Sequence, residues 1–406
     1  MRQETLPGPR AWQVVPRCDC PACGGTDLTE LLHLPSIPVQ SCILLDSSHE
    51  GATFPRHEMR MTFCEGCGFV FNAAFDERLI DYSSTTEESQ HFSGTFNAFA
   101  KKLVAEIVET WPLRGRQVVE VGCGKGDFLR ELCLAVPCDA LGIDPGFITD
   151  RLDVPEGASL TFQREYFDPT HVEVAANLVI CRHTLEHIGD VRRFMEDIHD
   201  MTGGRPNVAI FFETPDVGRV LDEGAFWDIY FEHCSYFTPG SHARLFRSAG
   251  FDVTALRLDY GDQYIIQNAH PTTGSPLPPC EAEESLDHLR ALAAAFPAKV
   301  AERMAYWRDF VQARHAMGKR VAVWGGGSKC VSFLTSLDLG PEISRVIDIN
   351  PFKQGRFLPG TGLPVSGPEA LQADPPDTVI VMNPVYLDEI GADLARLGLS
   401  PELVAV

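Results

Sequence analysis

Between residues 101 and 268, short apolar runs alternate with stretches whose apolar residues recur every three or four positions. The runs "QVVEVG" (117–122), "ALGID" (140–144), "NLVICR" (177–182) and "VAIFFE" (208–213) each lead toward a helical pattern. That alternation predicts a parallel sheet with crossover helices. A second series of the same kind carries the runs "RVAVWG" (320–325), "RVIDI" (345–349) and "TVIVMN" (378–383). Between the two, "HPTTGSPLPP" (270–279) reads as a linker. A helical region follows it, with apolar residues at Leu286, Leu289, Leu292 and Phe296 and an expected interruption at Pro297. The first 75 residues differ, being rich in Cys, Gly and Pro with only short strands. Three parts are therefore expected, over residues 1–75, 76–270 and 281–406.

The totals narrow the function. A chain of 406 residues with 44% hydrophobic and 22% charged positions has enough apolar material for two or three cores. Its 34 basic and 56 acidic residues give a net charge of −22, which repels phosphate backbones and anionic lipid. Nucleic acid and membranes are thus not expected partners, and a small molecule is. The opening "MRQETLPGPRAW" lacks the apolar core of a signal peptide, and no run approaches the ~18 apolar residues of a membrane span. A cytoplasmic protein is expected. In that reducing setting the 13 cysteines read as metal ligands, reactive thiols or core residues.

Six stretches carry candidate chemistry, the first two as a pair. Cys20 and Cys23 in "CPAC", with Cys64 and Cys67 in "CEGC", offer the four thiolates of a tetrahedral zinc site. Such a site has no open position and is structural; the alternative is incidental buried cysteine, and Cys18 lies nearby. "VVEVGCGKGDF" (118–128) is a strand, a glycine turn at Gly122, Gly124 and Gly126, and a helix start. With Glu120 before the glycines and Asp144 closing the next strand, it suits a nucleotide cofactor, a dinucleotide included. "CRHTLEHIGD" (181–190) opens a helix on which His183 and His187 share a face, as a catalytic or metal pair or as capping and packing groups. "DIYFEHCSYFT" (228–238) is either a strand, with Tyr230 and Glu232 opposite His233, or a loop on which all three converge; aromatic packing is the plain alternative. "VWGGGSKCVSFL" (323–334) sets Gly325, Gly327 and Lys329 at a helix start, where a diphosphate or merely a tight turn fits.

The E-x-G-x-G-x-G form resembles the first motif of class I S-adenosylmethionine methyltransferases. That resemblance implies that Asp144 holds the ribose hydroxyls and that "REYFD" (164–168), with Phe167 and Asp168, borders the adenine. The motifs taken in order, ending in "DINPFKQGRFLPGTGLPV" (348–365), resemble the three-domain zinc-containing sugar C-methyltransferases of deoxysugar and antibiotic biosynthesis. The fold so implied is α/β: an N-terminal zinc-binding domain, a central class I methyltransferase sheet of seven strands, and a second Rossmann-like domain that helps hold a nucleotide sugar. The implied reaction is methylation beside the ketone of a nucleotide-linked 4-keto-deoxysugar, carried on thymidine diphosphate, by a monomer. Tyr230, Glu232 and His233 would line the sugar site with His187 and Tyr82, and Phe231 stands where many relatives have histidine.

A carbon beside a ketone becomes nucleophilic only when its proton is removed. Histidine, with an ordinary pKa near 6.5, suits that task. His233 is expected as the base, Glu232 as its orienting partner, and Tyr230 with His187 as donors to the enolate oxygen, the two histidines being exchangeable. Two other readings stand beside this one: a methyltransferase of the same fold acting on a non-sugar enolisable acceptor, and a non-catalytic cofactor-binding protein.

Overall fold

The computed structural model describes residues 17–82, 85–149, 151–152, 159–172, 174–275 and 277–406. The N-terminal stretch read for a signal peptide lies outside them, as do Ser83 and Ser84 of "DYSS" and Pro276 of the linker. Near the N-terminus, β1 (Leu28–Pro38) pairs antiparallel with β2 (Arg56–Cys64), and β2 with β3 (Val70–Asn72). Met59, Met61 and Phe63 of β2 are fully buried, which gives this small sheet an apolar face.

The central segment builds the expected seven-stranded sheet. β4 (Gln117–Val121), β5 (Asp139–Ile143) and β6 (Ser159–Gln163) run side by side to one edge; β7 (Leu178–Arg182) and β8 (Ala209–Pro215) extend from β4 the other way. All these pairings are parallel, and the order reverses between β4 and β7. That reversal opens a crevice at the carboxyl ends of the strands, where α/β folds bind ligands. The chain then leaves the sheet: β9 (Ser235–Tyr236) pairs with β3 of the N-terminal sheet. It returns as a hairpin of β10 (Phe251–Asp259) and β11 (Tyr264–Pro271), with β11 antiparallel to β8. Because His270 and Pro271 still pair with Asp252 and Phe251, the linker begins two residues later than the sequence suggests.

The C-terminal segment forms a parallel sheet in the order β14 (Val365–Ser366), β13 (Ile343–Ile347), β12 (Val321–Trp324), β15 (Thr378–Val381) and β16 (Glu402–Ala405). Before it, one helix runs unbroken over Leu286–Ala316. Pro297 removes a backbone donor there, yet the helix holds because its buried stripe continues on both sides, through Leu289, Ala293, Phe296 and Val300 to Trp307 and Val311. No helix among the described residues is long and apolar enough to cross a membrane.

The three parts share cores. One cluster joins Met59 and Phe63 to Phe226 and Phe231 of the central segment and to Phe296, Trp307 and Phe333 of the C-terminal part. A second joins Phe69 and Phe71 to Val179, Ile210 and Phe246. The run 226–237 is therefore both a seam between the parts and the wall of the cleft they enclose.

Candidate active site and cysteine centre

The two C-x2-C knuckles are built alike. Gly24 N–H donates to Cys20 O (2.7 Å) and Gly68 N–H to Cys64 O (2.8 Å), each glycine having φ near +75°. These left-handed turns fold each cysteine pair back on itself and then onto the other pair. Cys20 Sγ lies 3.7 Å from Cys67 Sγ, Cys23 Sγ lies 3.6 Å from Cys64 Sγ, and all four sulfurs fall within 4.8 Å of one another. Sulfurs on a zinc tetrahedron with bonds of about 2.3 Å are about 3.8 Å apart, so the set fits such an ion. Cys18 is exposed and outside this group, and all 13 cysteines are free thiols.

A cleft of about 1000 Å³ is lined from all three parts. At its central end, Gly122, Gly124 and Gly126 have φ of +72°, +55° and +83°. A Cβ on Gly122 would stand 1.9 Å from Thr184 Oγ1, and one on Gly126 would stand 2.7 Å from Leu152 and Phe162. Thr184 Oγ1 donates to Arg182 O (3.0 Å) and lies 3.3 Å from Gly122 O, so the loop after β7 crosses directly over the glycine turn. Asp144 accepts from Gly124 N–H (2.8 Å) and Gly146 N–H (2.7 Å), and burial raises its pKa. Glu120 is 2% exposed with Oε2 unpartnered among the described residues; burial, against the pull of Arg182, pushes it up to about 8. A bare glycine cradle and an orphaned buried carboxyl are what a bound nucleoside cofactor would use.

Substituting Gly122→Ala should therefore break this end of the cleft. The left-handed backbone costs about 1–2 kcal/mol for a residue with a Cβ, and overpacking against Thr184 about 1–3 kcal/mol more. Calorimetry with S-adenosylhomocysteine should show binding weakened at least tenfold; unchanged binding would remove the turn from the cofactor site.

Tyr166 and Phe167 line the cleft, but Asp168 does not. Its carboxylate instead accepts from Thr170 N–H (2.8 Å) and Thr170 Oγ1 (2.6 Å), capping a short 3-10 turn. Asp168 is thus the one residue of Tyr166, Phe167 and Asp168 that does not face the cleft.

The stretch after β7 is not a helix start. His183 has φ +48° and a single 3-10 turn covers Leu185–His187, so His183 and His187 share no helical face; the α-helix begins at Val191. The left-handed kink is held by Glu213, 2.9 Å from His183 Nε2, and by Glu186, 3.5 Å from Nδ1. Burial opposes a charge on His183, but the two carboxylates outweigh it and push its pKa up to about 9. Glu213, also buried, is drawn down to about 2 by Arg182, whose Nε lies 2.5 Å away, and by His183.

Past the kink, His187 Nδ1 lies 2.9 Å from Tyr82 Oη and 3.1 Å from the carbonyl of Glu232. A carbonyl only accepts, so Nδ1 carries a proton, and in the neutral ring the lone pair is then on Nε2. His187 in this form cannot donate to an enolate oxygen. Tyr82, accepting from Nδ1, keeps its own hydroxyl hydrogen for that purpose.

The run 230–233 is a loop, and Tyr230, Glu232 and His233 all line the cleft. Phe231 turns away, fully buried against His57 and Phe75. The His233 ring stands edge-on to Tyr230 (4.6 Å) and His187 (4.7 Å) and makes no hydrogen bond to a described residue. Burial, with the neighbouring His187, His183 and Lys329, holds its pKa well below 6.5. Glu232 does not orient it: that carboxylate accepts from Ser41 N–H (2.9 Å) and from Ser41 Oγ. Nor is the Tyr230 hydroxyl a free donor, since it donates to Asp228 (3.0 Å).

On the C-terminal side, Gly325 (φ +108°) and Gly327 line the cleft at the start of the helix Ser328–Leu337. Lys329 also lines it, but its ammonium is bound by Asp228, which Arg219 binds as well. The cation nearest Gly327 is Lys353, whose Nζ would lie 3.5 Å from a Cβ there and is 3.6 Å from Asp348. Sequence reading missed Lys353, although it lies in the 348–365 motif directly after β13.

Strand order, glycine turn and cleft together define a methyltransferase. Residues 93–256 match the family model "Methyltransferase domain", and residues 275–398 match "C-methyltransferase C-terminal domain". The C-methyltransferase NovU of Streptomyces niveus is 27% identical over 397 residues, covering 93% of this chain and 92% of that protein. The chain is accordingly an S-adenosylmethionine-dependent C-methyltransferase. Solved structures with a similar fold include magnesium protoporphyrin IX methyltransferase from Synechocystis PCC 6803 (16% identity, 44% of this chain and 84% of that one, TM-score 0.35). Human N-acetylserotonin methyltransferase is another (17% identity, 48% and 63%, TM-score 0.31).

Proposed function

We propose that this enzyme methylates the carbon beside the ketone of a nucleotide-linked 4-keto-deoxysugar, carried on thymidine diphosphate, with zinc in the cysteine centre. The observation that supports it best is the single cleft, which runs from the glycine turn past His187 and His233 to Gly327 and Lys353. Two nucleotide-sized ligands entering from opposite ends would meet at the histidines. Gly122, Gly124, Gly126, Glu120 and Asp144 hold S-adenosylmethionine, which supplies a methyl group on a sulfonium.

His233, held neutral by partial burial and by the neighbouring His187, His183 and Lys329, takes the proton from the carbon beside the ketone. The Tyr82 hydroxyl donates to the enolate oxygen that results, and His187 fixes Tyr82. The aromatic wall around them limits water, which would otherwise return the proton. Lys353 and the helix start at Gly327 face the diphosphate. The protein otherwise contributes alignment of two bound substrates.

Calorimetry decides the acceptor class. Thymidine diphosphate titrated into the complex with S-adenosylhomocysteine should bind, and should bind more weakly once Lys353→Ala is introduced. Binding of S-adenosylhomocysteine alone would discard the sugar nucleotide and leave a methyltransferase for another enolisable acceptor.

A further inference from the structure

Among the described residues, one group of side chains besides the cysteine centre converges as metal ligands do. A carboxylate oxygen of Glu186 and ring nitrogens of His187 and His233 lie within 4.8 Å of one another, inside the cleft. Glu186 is 2% exposed, and its Oε2 has no hydrogen-bond partner among the described residues. A buried, unpaired carboxylate oxygen is costly unless something polar or charged joins it. Its other oxygen is 3.5 Å from His183, so Oε2 is the atom left to serve.

The histidines are prepared for the same task. The carbonyl of Glu232 holds the His187 proton on Nδ1, 3.1 Å away, which leaves the Nε2 lone pair free. Backbone carbonyls orient metal-binding histidines in this way. The His233 ring makes no hydrogen bond to a described residue. Two imidazoles and one carboxylate suit divalent zinc, cobalt, nickel or iron better than magnesium or calcium. Metal–nitrogen bonds of about 2.1 Å need ligand atoms somewhat closer than they stand here, a change that small side-chain rotations supply.

We propose that Glu186, His187 and His233 bind one divalent transition-metal ion when the acceptor is absent, and that this ion blocks methyl transfer. Blocking follows because the ion occupies the lone pair with which His233 would take the proton; that half rests on the reading of His233 as the base. The site differs from the cysteine centre in having only nitrogen and oxygen ligands and in facing the cleft.

Cobalt(II) alone is the probe, added to the full-length protein after its cysteine centre is loaded with zinc. One further cobalt per chain should bind, with visible d–d absorption and without the near-ultraviolet band of thiolate ligation. Glu186→Gln, which keeps the shape of the side chain, and His187→Ala should each weaken it at least tenfold. No further cobalt, thiolate ligation of the second ion, or undiminished affinity in both variants would overturn the site, and the wild-type spectrum alone decides if a variant does not fold. Full turnover with the second cobalt bound would overturn the blocking. Failure of thymidine diphosphate to bind would leave the site itself intact, because the cobalt titration involves no acceptor.

Discussion

His233→Ala is expected to lower kcat by about 10²- to 10⁴-fold, the usual contribution of a positioned base, with S-adenosylhomocysteine binding unchanged. The expectation follows from the neutrality of the ring and its lack of a hydrogen-bonding partner: a lone pair in the cleft is uncommitted. His187→Ala should also slow the reaction, but through loss of Tyr82 positioning. Their pH profiles should separate the two roles. His233 works only when neutral, so protonation at low pH stops it; burial lowers its pKa, so the acid limb of kcat/KM lies below pH 6.5. Near-normal turnover in both variants would remove proton abstraction by either histidine.

Much of the fold could be read from the chain because strands buried on both faces leave a plain signature. "VVEV" and "LVIC" are nearly continuous apolar runs, and both lie in the middle of the sheet. The hairpin of β10 and β11 left none: "FDVTALRLD" is half-buried along its second half, and "YIIQNAHP" ends in residues typical of a loop. β9 is two residues long, too short for any period, and its pairing with β3 joins segments more than 160 positions apart.

Within the site, residue types were legible and orientations were not. The cysteine spacing and the glycine turn are local patterns that a single turn of backbone satisfies. The roles of Glu232, Tyr230 and Lys329 depended instead on long-range partners. Ser41 claims the first carboxylate, and Asp228 claims both the Tyr230 hydroxyl and the Lys329 ammonium. His183 misled for a different reason, since four-residue spacing implies a shared face only if the backbone is helical, and φ +48° breaks it. Glu186 was adjacent to a chosen histidine in "TLEHI", and only burial without a partner marks it.

Removing the zinc proposed for the cysteine centre, by a chelator or by Cys64→Ser, should abolish activity through a distance effect. Structural zinc contributes about 10–16 kcal/mol to the folding of small zinc modules, comparable to the 5–15 kcal/mol that holds a whole domain together. Cys64 is the last residue of β2, which pairs with β3, and β3 pairs with β9 directly after His233 and Cys234. Asn72 N–H donates to Cys234 O at 3.0 Å, carrying the link to the residue beside His233. Loss of the ion therefore frees the edge that holds the 230–233 loop in the cleft, while the glycine turn and Asp144 follow β4 and β5, whose parallel pairing does not pass through the N-terminal sheet. Limited proteolysis should find cleavage within residues 17–75, turnover should disappear, and S-adenosylhomocysteine should still bind. A chelated enzyme with unchanged turnover and melting temperature would show that the cysteines hold neither the sheet nor the loop.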